Sequence, residues 1–379
     1  MIEIFVVYHG KWSFFLPCKA NEKLEILNRK INIPRVDYIS FKQSSGTFFY
    51  PREKGSVFEE YYFIFQKEGS RFIISAPLIV DLEITTYCNL NCRHCYVNKE
   101  NVQNLSLGQI QKLFREFKNI GVVGIQLLGG EPSLHPRIKD IITSAYKQGL
   151  KIEMVSNGNN SLRENCDKVS NKIDYLLISV DGNENTHDYI RNKKGAFHSA
   201  LESIKFFSEK GVKTKAIMTL NRINSNQYRE VATKVEESGA EGLVLKFMMP
   251  IGMGEKNLDM VLRSKERKKI YKKILQEKGS FEISDQMYNA LEQKVNANFF
   301  GCPAGRFSIR ISAKGDVYWC IYHKKILGNI GQESFKTIWE ERIIKNNFYG
   351  ATSCRYSYRC GGPCKLSKIW KKGEFKCPL

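Results

Sequence analysis

Downstream of residue 77, short apolar runs alternate with longer stretches in which apolar residues recur every three or four positions. The first pattern predicts strands, and the second predicts helices that lay one face against them. Strands are expected over 78–84, 122–128, 151–155, 173–180, 212–220 and 243–248. Helices are expected over 137–148, 196–210 and 227–238. A further helix should follow Ser106, which can cap it ahead of the apolar positions Leu107, Ile110, Leu113, Phe114 and Phe117. This alternation implies an α/β fold with a parallel sheet, and six strand–helix units imply a partial (β/α)6 TIM-like barrel. Ligands of such sheets gather at the carboxyl ends of the strands.

The flanks of the barrel read differently. Residues 1–77 carry aromatic and β-branched runs at 4–8, 12–16, 46–50 and 61–65, with one helix expected over 21–30. They are expected to form a β-rich N-terminal domain, a structural cap on the residues alone and a peptide-docking module if the family resemblance of the later domains extends to it. The barrel is expected over 78–260, a charged helical bridge over 261–300, and a last domain with six cysteines over 301–379. A length of 379 residues with 42% hydrophobic content is enough for a large core. No apolar run approaches the ~18 residues that span a bilayer. The opening Met1-Ile2-Glu3-Ile4-Phe5 lacks the basic start of an export signal. The expectation is a cytoplasmic chain with no membrane partner, in which 11 cysteines serve metal or redox chemistry rather than disulfides. The net charge of +20 asks for acidic partners: nucleic acid, an acidic peptide or an acidic electron donor. The basic run at 263–269 reads as a solvated helix face, and charge alone does not choose among these partners.

Chemistry is concentrated directly after the first strand. Cys88, Cys92 and Cys95 stand at a C-x3-C-x2-C spacing in a loop made polar by Asn89, Asn91 and Arg93. Thiolates so closely spaced can wrap one corner of an iron–sulfur cluster, and three of them leave one iron open. Here the chain resembles the radical S-adenosylmethionine (SAM) enzymes, in which an aromatic residue often stands at the place of His94. That resemblance implies a 4Fe–4S cluster whose open iron chelates the amino and carboxylate groups of SAM. It also implies reductive cleavage of SAM to a 5′-deoxyadenosyl radical that takes a hydrogen atom from the substrate.

Later strand ends extend the resemblance. Gly129-Gly130-Glu131-Pro132 closes the second strand; glycines let the backbone approach a ligand and a carboxylate can pair with an amino group, although a plain turn would look the same. The family pattern assigns Gly129, Gly130 and Glu131 to the SAM amino group and places the Ser156-Asn157-Gly158 loop near the cofactor. It assigns Ser179 and Arg191 to the ribose or carboxylate, and His94 completes the candidate SAM-binding set. An isolated surface arginine is the plain alternative for Arg191. The methionines of 248–254 read as core packing, with an adenine contact added by the resemblance. Cys166 reads as a packed helix residue, with a hydrogen-donor role as its alternative, and Cys18 as an ordinary thiol.

Cys302, Cys320, Cys354, Cys360, Cys364 and Cys377 close the chain at spacings that resemble the SPASM domain, which carries auxiliary iron–sulfur clusters. Leu327-Gly328-Asn329-Ile330 and Ile338-Trp339 also look like that domain, and zinc is the competing occupant. The family's interleaving implies Cys302, Cys320 and Cys364 on an inner cluster and Cys354, Cys360 and Cys377 on an outer one. Two positions depart from the pattern: Ala351 stands where a cysteine is expected. Ile321 stands where sulfatase-maturing relatives carry an acid. The resemblance implies a maturase of a ribosomally made precursor peptide, forming a thioether or carbon–carbon cross-link. Its partners would be a peptide with an acidic leader and a flavodoxin or ferredoxin-type reductant. Small-molecule modification, of a sugar or tetrapyrrole, and an electron-transfer or regulatory protein without SAM cleavage are the alternatives.

Overall fold

The computed structural model describes residues 76–97, 101–277, 304–305 and 308–344, together with the backbone of six strands elsewhere. Five of those strands make an antiparallel N-terminal sheet: β1 (Ile2–Tyr8), β2 (Lys11–Cys18), β3 (Tyr38–Gln43), β4 (Gly46–Pro51) and β5 (Glu60–Gln66). Their order is β2-β1-β5-β4-β3, which puts Pro17 on an edge strand, at a register shift in its pairing with β1. The β-rich reading therefore holds, with β3 an addition to it. The helix expected over 21–30 lies outside the described residues.

The main sheet carries the six expected strands side by side and parallel. They are β6 (Ile79–Thr85), β7 (Gly124–Gly129), β8 (Lys151–Ser156), β9 (Tyr175–Ser179), β10 (Lys213–Leu220) and β11 (Leu243–Phe247). Two further parallel strands extend this row at its ends. β12 (Phe281–Ile283) pairs with β11 from within the stretch expected to be a helical bridge. β13 (Ser308–Ile311) pairs with the other edge, on β6, and is followed by the antiparallel β14 (Asp316–Tyr318) and β15 (Gly328–Asn329). The sheet stays open, so the barrel is partial.

Helices return the chain between strands: α1 (Leu107–Ile120), α2 (Ile138–Lys147), α3 (Asn160–Cys166), α4 (Glu184–Arg191), α5 (Ala196–Glu209), α6 (Tyr228–Glu237), the one-turn α7 (Met253–Lys256) and α8 (Ser264–Gln276). Ser106 caps α1 as its sequence suggested: its Oγ accepts from the Gln109 N–H, while the Gln109 side chain accepts from the Ser106 N–H. The apolar stripe Ile110, Leu113, Phe114 and Phe117 is fully buried. Each such side chain contributes ~1.5–3 kcal/mol of burial.

Alternation along β6 separates two environments. Val80, Leu82 and Ile84 join the core beneath the helices, whereas Asp81, Glu83 and Thr85 point to the opposite face. Strand register lines Arg310, Asp81, Gln126, Glu153 and Tyr175 up across five neighbouring strands of that face. Arg310 forms an ion pair with Glu83, and Gln126 donates to Glu153 at 3.2 Å. Farther round, Tyr175, Leu177, Ile217 and Val244 make a separate apolar cluster. The helix-free face is thus acidic and amide-lined near β6–β8, and farther round its apolar cluster alternates with Lys213, Lys215 and Lys246. The segment after β15 packs on α1, where the Phe335 and Phe117 rings meet edge-on at 5.0 Å and the Phe335 N–H donates to Glu116 at 2.8 Å.

Candidate functional site

The cysteine loop leaves the carboxyl end of β6 and is held from several directions. The Gly130 and Glu131 N–H groups, just past β7, donate to the carbonyls of Thr85 and Tyr87 at 2.8 and 2.7 Å. That approach requires glycine: a Cβ on Gly130 would lie 2.3 Å from the Tyr87 carbonyl oxygen, and one on Gly129 2.6 Å from that of Thr85. From α4, the Ile190 carbonyl accepts from the Arg93 N–H at 2.9 Å, and the Arg93 guanidinium lies over the Tyr189 ring. At the far end, the Met253 N–H donates to the Cys95 carbonyl at 2.8 Å. Gly252 next to it has φ 57°, and a Cβ there would sit 2.6 Å from the same carbonyl oxygen. The 248–254 segment thus pins the loop, while Met248 itself packs with Ile190 and Met260 as expected of core.

Of the three cysteines, Cys92 is buried and Cys88 and Cys95 are half-buried. N–H donors point at two of the sulfurs. The Leu90 N–H and Asn157 Nδ2 lie 3.5 and 3.9 Å from Cys88 Sγ, and Arg191 Nη1 lies 3.8 Å from Cys92 Sγ. Donors and a guanidinium around sulfur favour the thiolate, so this loop fits the ligation of a metal cluster.

Glu131 sits behind the loop, 1% exposed. Its carboxylate accepts from the Ser133 N–H (3.1 Å), Ser133 Oγ (2.7 Å), Ser156 Oγ (2.8 Å) and the Asn157 N–H (2.8 Å). Burial raises its pKa, and these donors act against that shift. The carboxylate therefore ties the turn after β7 to the turn after β8. It also fixes Asn157, whose side chain reaches Cys88 and, at 3.0 Å, Asn89.

A second buried array stands at the ends of β9 and β10. Asp181 pairs with Arg191 Nη2 at 2.7 Å, accepts the Thr219 N–H at 2.8 Å and lies 3.7 Å from His94 Nε2. Burial pushes the Asp181 carboxyl up, but Arg191, His94 and His187 outweigh it and hold the pKa below the ordinary value. Burial works against the charge on Arg191, yet Asp181 and the Cys92 sulfur leave its pKa raised. His187 Nδ1 accepts from the Asp181 N–H at 2.9 Å; burial first, then Arg191, lowers its pKa to about 4, so the ring is neutral. Ser179 is buried at the end of β9.

The structure therefore brings Cys88, Cys92, Cys95, His94, Gly129, Gly130, Glu131, Ser156, Asn157, Ser179 and Arg191 to one edge of the sheet. Asp181 was missed by sequence reasoning, although a carboxylate one residue beyond a strand end was a usable signal. The Glu83–Arg310 pair was missed too. Arg310 also donates to the carbonyl of Ile321 at 3.2 Å and lies over the Tyr96 ring, so it touches neighbours of both Cys320 and Cys95. Cys320 is half-buried; Cys302, Cys354, Cys360, Cys364, Cys377 and Ala351 lie outside the described residues. Cys166 is fully buried and its thiol is pushed up to about 12 by burial, which suits packing and not chemistry.

The chain is similar to known proteins over most of its length. The radical SAM superfamily model matches residues 82–235, and an iron–sulfur cluster-binding domain, SPASM, matches residues 302–365. The antilisterial bacteriocin subtilosin biosynthesis protein AlbA of Bacillus subtilis is 28% identical over 293 residues, covering 75% of this chain. The chain spans 64% of AlbA's own length. An AdoMet-dependent heme synthase of Methanosarcina barkeri is 26% identical over 331 residues, 79% of this chain and 95% of that protein. Among solved structures, Streptococcus suis SuiB bound to its precursor peptide SuiA shares the fold with TM-score 0.69 and 17% identity, over 80% of this chain and 76% of that one. The chain thus carries a radical SAM domain over residues 82–235 and, downstream, a SPASM iron–sulfur cluster-binding domain over residues 302–365.

Proposed function

We propose that this enzyme matures a ribosomally made precursor peptide, forming a thioether or carbon–carbon cross-link. The observation that carries the reading is the divided face of the sheet beside the cysteine loop. Its carboxylates, amide and guanidinium (Asp81, Glu83, Gln126, Glu153, Arg310) face one way, and an apolar cluster lies farther round. A peptide presents both kinds of group within a few residues. The likeness to AlbA, named for bacteriocin biosynthesis, supports the same reading.

In this reading Cys88, Cys92 and Cys95 hold a 4Fe–4S cluster and the Gly129-Gly130 turn, His94, Ser179 and Arg191 face S-adenosylmethionine. When bound, the cluster and SAM supply hydrogen-atom abstraction from an unactivated carbon. The protein's part is orientation and exclusion of water. Arg191 places a fixed positive charge between Cys92 and the cofactor site, Asp181 keeps that charge oriented, and Glu131 holds Asn157 against Cys88. The downstream cysteines, Cys320 among them, hold auxiliary clusters, and a flavodoxin or ferredoxin-type reductant supplies electrons to the cluster of the cysteine loop.

A second reading, modification of a tetrapyrrole, is favoured by the similarity that runs over 95% of a heme synthase. The test offers the reconstituted enzyme, SAM and dithionite either a short peptide encoded beside its gene or an iron coproporphyrin. A peptide product lighter by two hydrogens supports the maturase. Conversion of the porphyrin, with the peptide untouched, supports the second reading instead.

A further inference from the structure

A cluster held by Cys88, Cys92 and Cys95 would take its electrons from another protein, and a surface beside the loop suits that encounter. A cleft of about 550 Å3 opens beside the loop, lined by Asn89 and Leu90 on one side, Asn157 and Asn159 at its base, and Lys193 and Lys194 on its rim. Its base is a network of neutral amides. Asn157 and Asn159 both donate to Asn89 Oδ1 at 3.0 Å, and Asn157 Nδ2 lies 3.9 Å from Cys88 Sγ. One side chain therefore separates the cleft from a thiol of the loop.

The rim is built as well. Lys193 and Lys194 sit in a turn between Asn192, at φ 54°, and Gly195, at φ 79°. Asp188 fixes that turn, accepting the Gly195 and Phe197 N–H groups at 2.6 and 2.9 Å. Both lysines are exposed, and neither has an ion pair among the described residues. The acids lining the same cleft are Glu202, tied to Arg163 at 3.0 Å, and the exposed Glu164. His198, also on the rim, faces Glu184 at 3.2 Å.

We propose that this cleft is where the electron donor docks, and that the donor is an acidic flavodoxin. The inference rests on the reading of Cys88, Cys92 and Cys95 as cluster ligands. The two lysines and the chain's charge of +20 would steer an acidic partner. Glu202 is neutralised by Arg163, so Lys193 and Lys194 outweigh Glu164 in the lining, and the amide base brings the donor against the loop beside Cys88.

The test compares parent and Lys193→Glu/Lys194→Glu enzymes, both reconstituted, in their production of 5′-deoxyadenosine from SAM. One arm uses reduced flavodoxin at subsaturating concentration and low salt, the other dithionite. The flavodoxin-driven rate should fall at least about tenfold in the variant, by loss of electrostatic steering, while the dithionite rate stays at the parent's level. Added salt should slow the parent with flavodoxin and leave the variant nearly unaffected. An unchanged flavodoxin rate would leave the cleft to some other molecule and overturn the proposal; so would an equal fall with both reductants. A parent that forms no deoxyadenosine even with dithionite would overturn the cluster reading itself.

Discussion

The four hydrogen bonds into Glu131 make Glu131→Gln an informative substitution. The family pattern would have the carboxylate meet the amino group of SAM, whereas the structure shows it occupied by Ser133, Ser156 and Asn157. Glutamine keeps the shape but replaces one acceptor oxygen with an NH2 group. The two serine hydroxyls can rotate to suit it; the Ser133 and Asn157 N–H groups cannot. At least one buried backbone donor then faces another donor, at a cost of ~1–3 kcal/mol, and the charge assistance of the remaining bonds is lost. Relief of the buried charge offsets part of this. The net expectation is a loss of about 2 kcal/mol, read as a lower denaturant midpoint of the unloaded protein at unchanged slope. SAM affinity, measured by calorimetry on reconstituted enzyme, should change little unless Asn157 moves. An unchanged midpoint with SAM binding weakened tenfold or more would refute the reasoning and return the carboxylate to the ligand.

Three other expectations can be checked together. Asp181→Asn leaves the buried Arg191 without its counter-charge and should destabilise the fold by about 3 kcal/mol. Adding Arg191→Met should recover part of that loss, and strictly additive denaturant midpoints would contradict a coupled pair. Asp81 has its carboxyl pushed up to about 6 by burial, against the pull of Lys246 and Arg310. The folded chain then holds a proton that the unfolded chain releases, so this group makes stability rise as pH falls from about 6 towards 4. Asp81→Asn should therefore raise stability at pH 7.5 and flatten that slope, and parallel urea midpoints of parent and variant at both pH values would contradict it. Gly252→Ala forces a Cβ to 2.6 Å from the Cys95 carbonyl oxygen at a φ of 57°. Iron retained per chain should drop on reconstitution, and parent-like iron content would show that the loop tolerates the shift.

The six central strands were legible because buried parallel strands are near-continuous apolar runs, and their ends carried the glycines and cysteines that mark ligand sites. β12 and β13 were not, since three or four residues give no period to read. β3 was hidden by the polar half of Tyr38-Ile39-Ser40-Phe41-Lys42-Gln43. The cysteine loop was evident from spacing alone. What the sequence concealed was pairing across distance: Asp181 with Arg191, ten residues on, and Glu83 with Arg310, 227 residues on. The acids Asp81 and Glu83 stood inside an apolar run, where period-two alternation marks an opposite face, and that was the available clue. Glu131 shows the converse. Its place in a motif was visible, but the serines that saturate it come from turns that only the fold brings together.

The central claim, that the loop at the end of β6 builds a radical-generating cluster, is tested most directly by SAM cleavage. Anaerobically reconstituted parent and a Cys88→Ala/Cys92→Ala/Cys95→Ala variant would be given SAM and dithionite, and 5′-deoxyadenosine and methionine quantified. The parent should form both in equal amounts, and the variant should form neither while losing about four irons per chain. Undiminished deoxyadenosine from the variant would contradict the account.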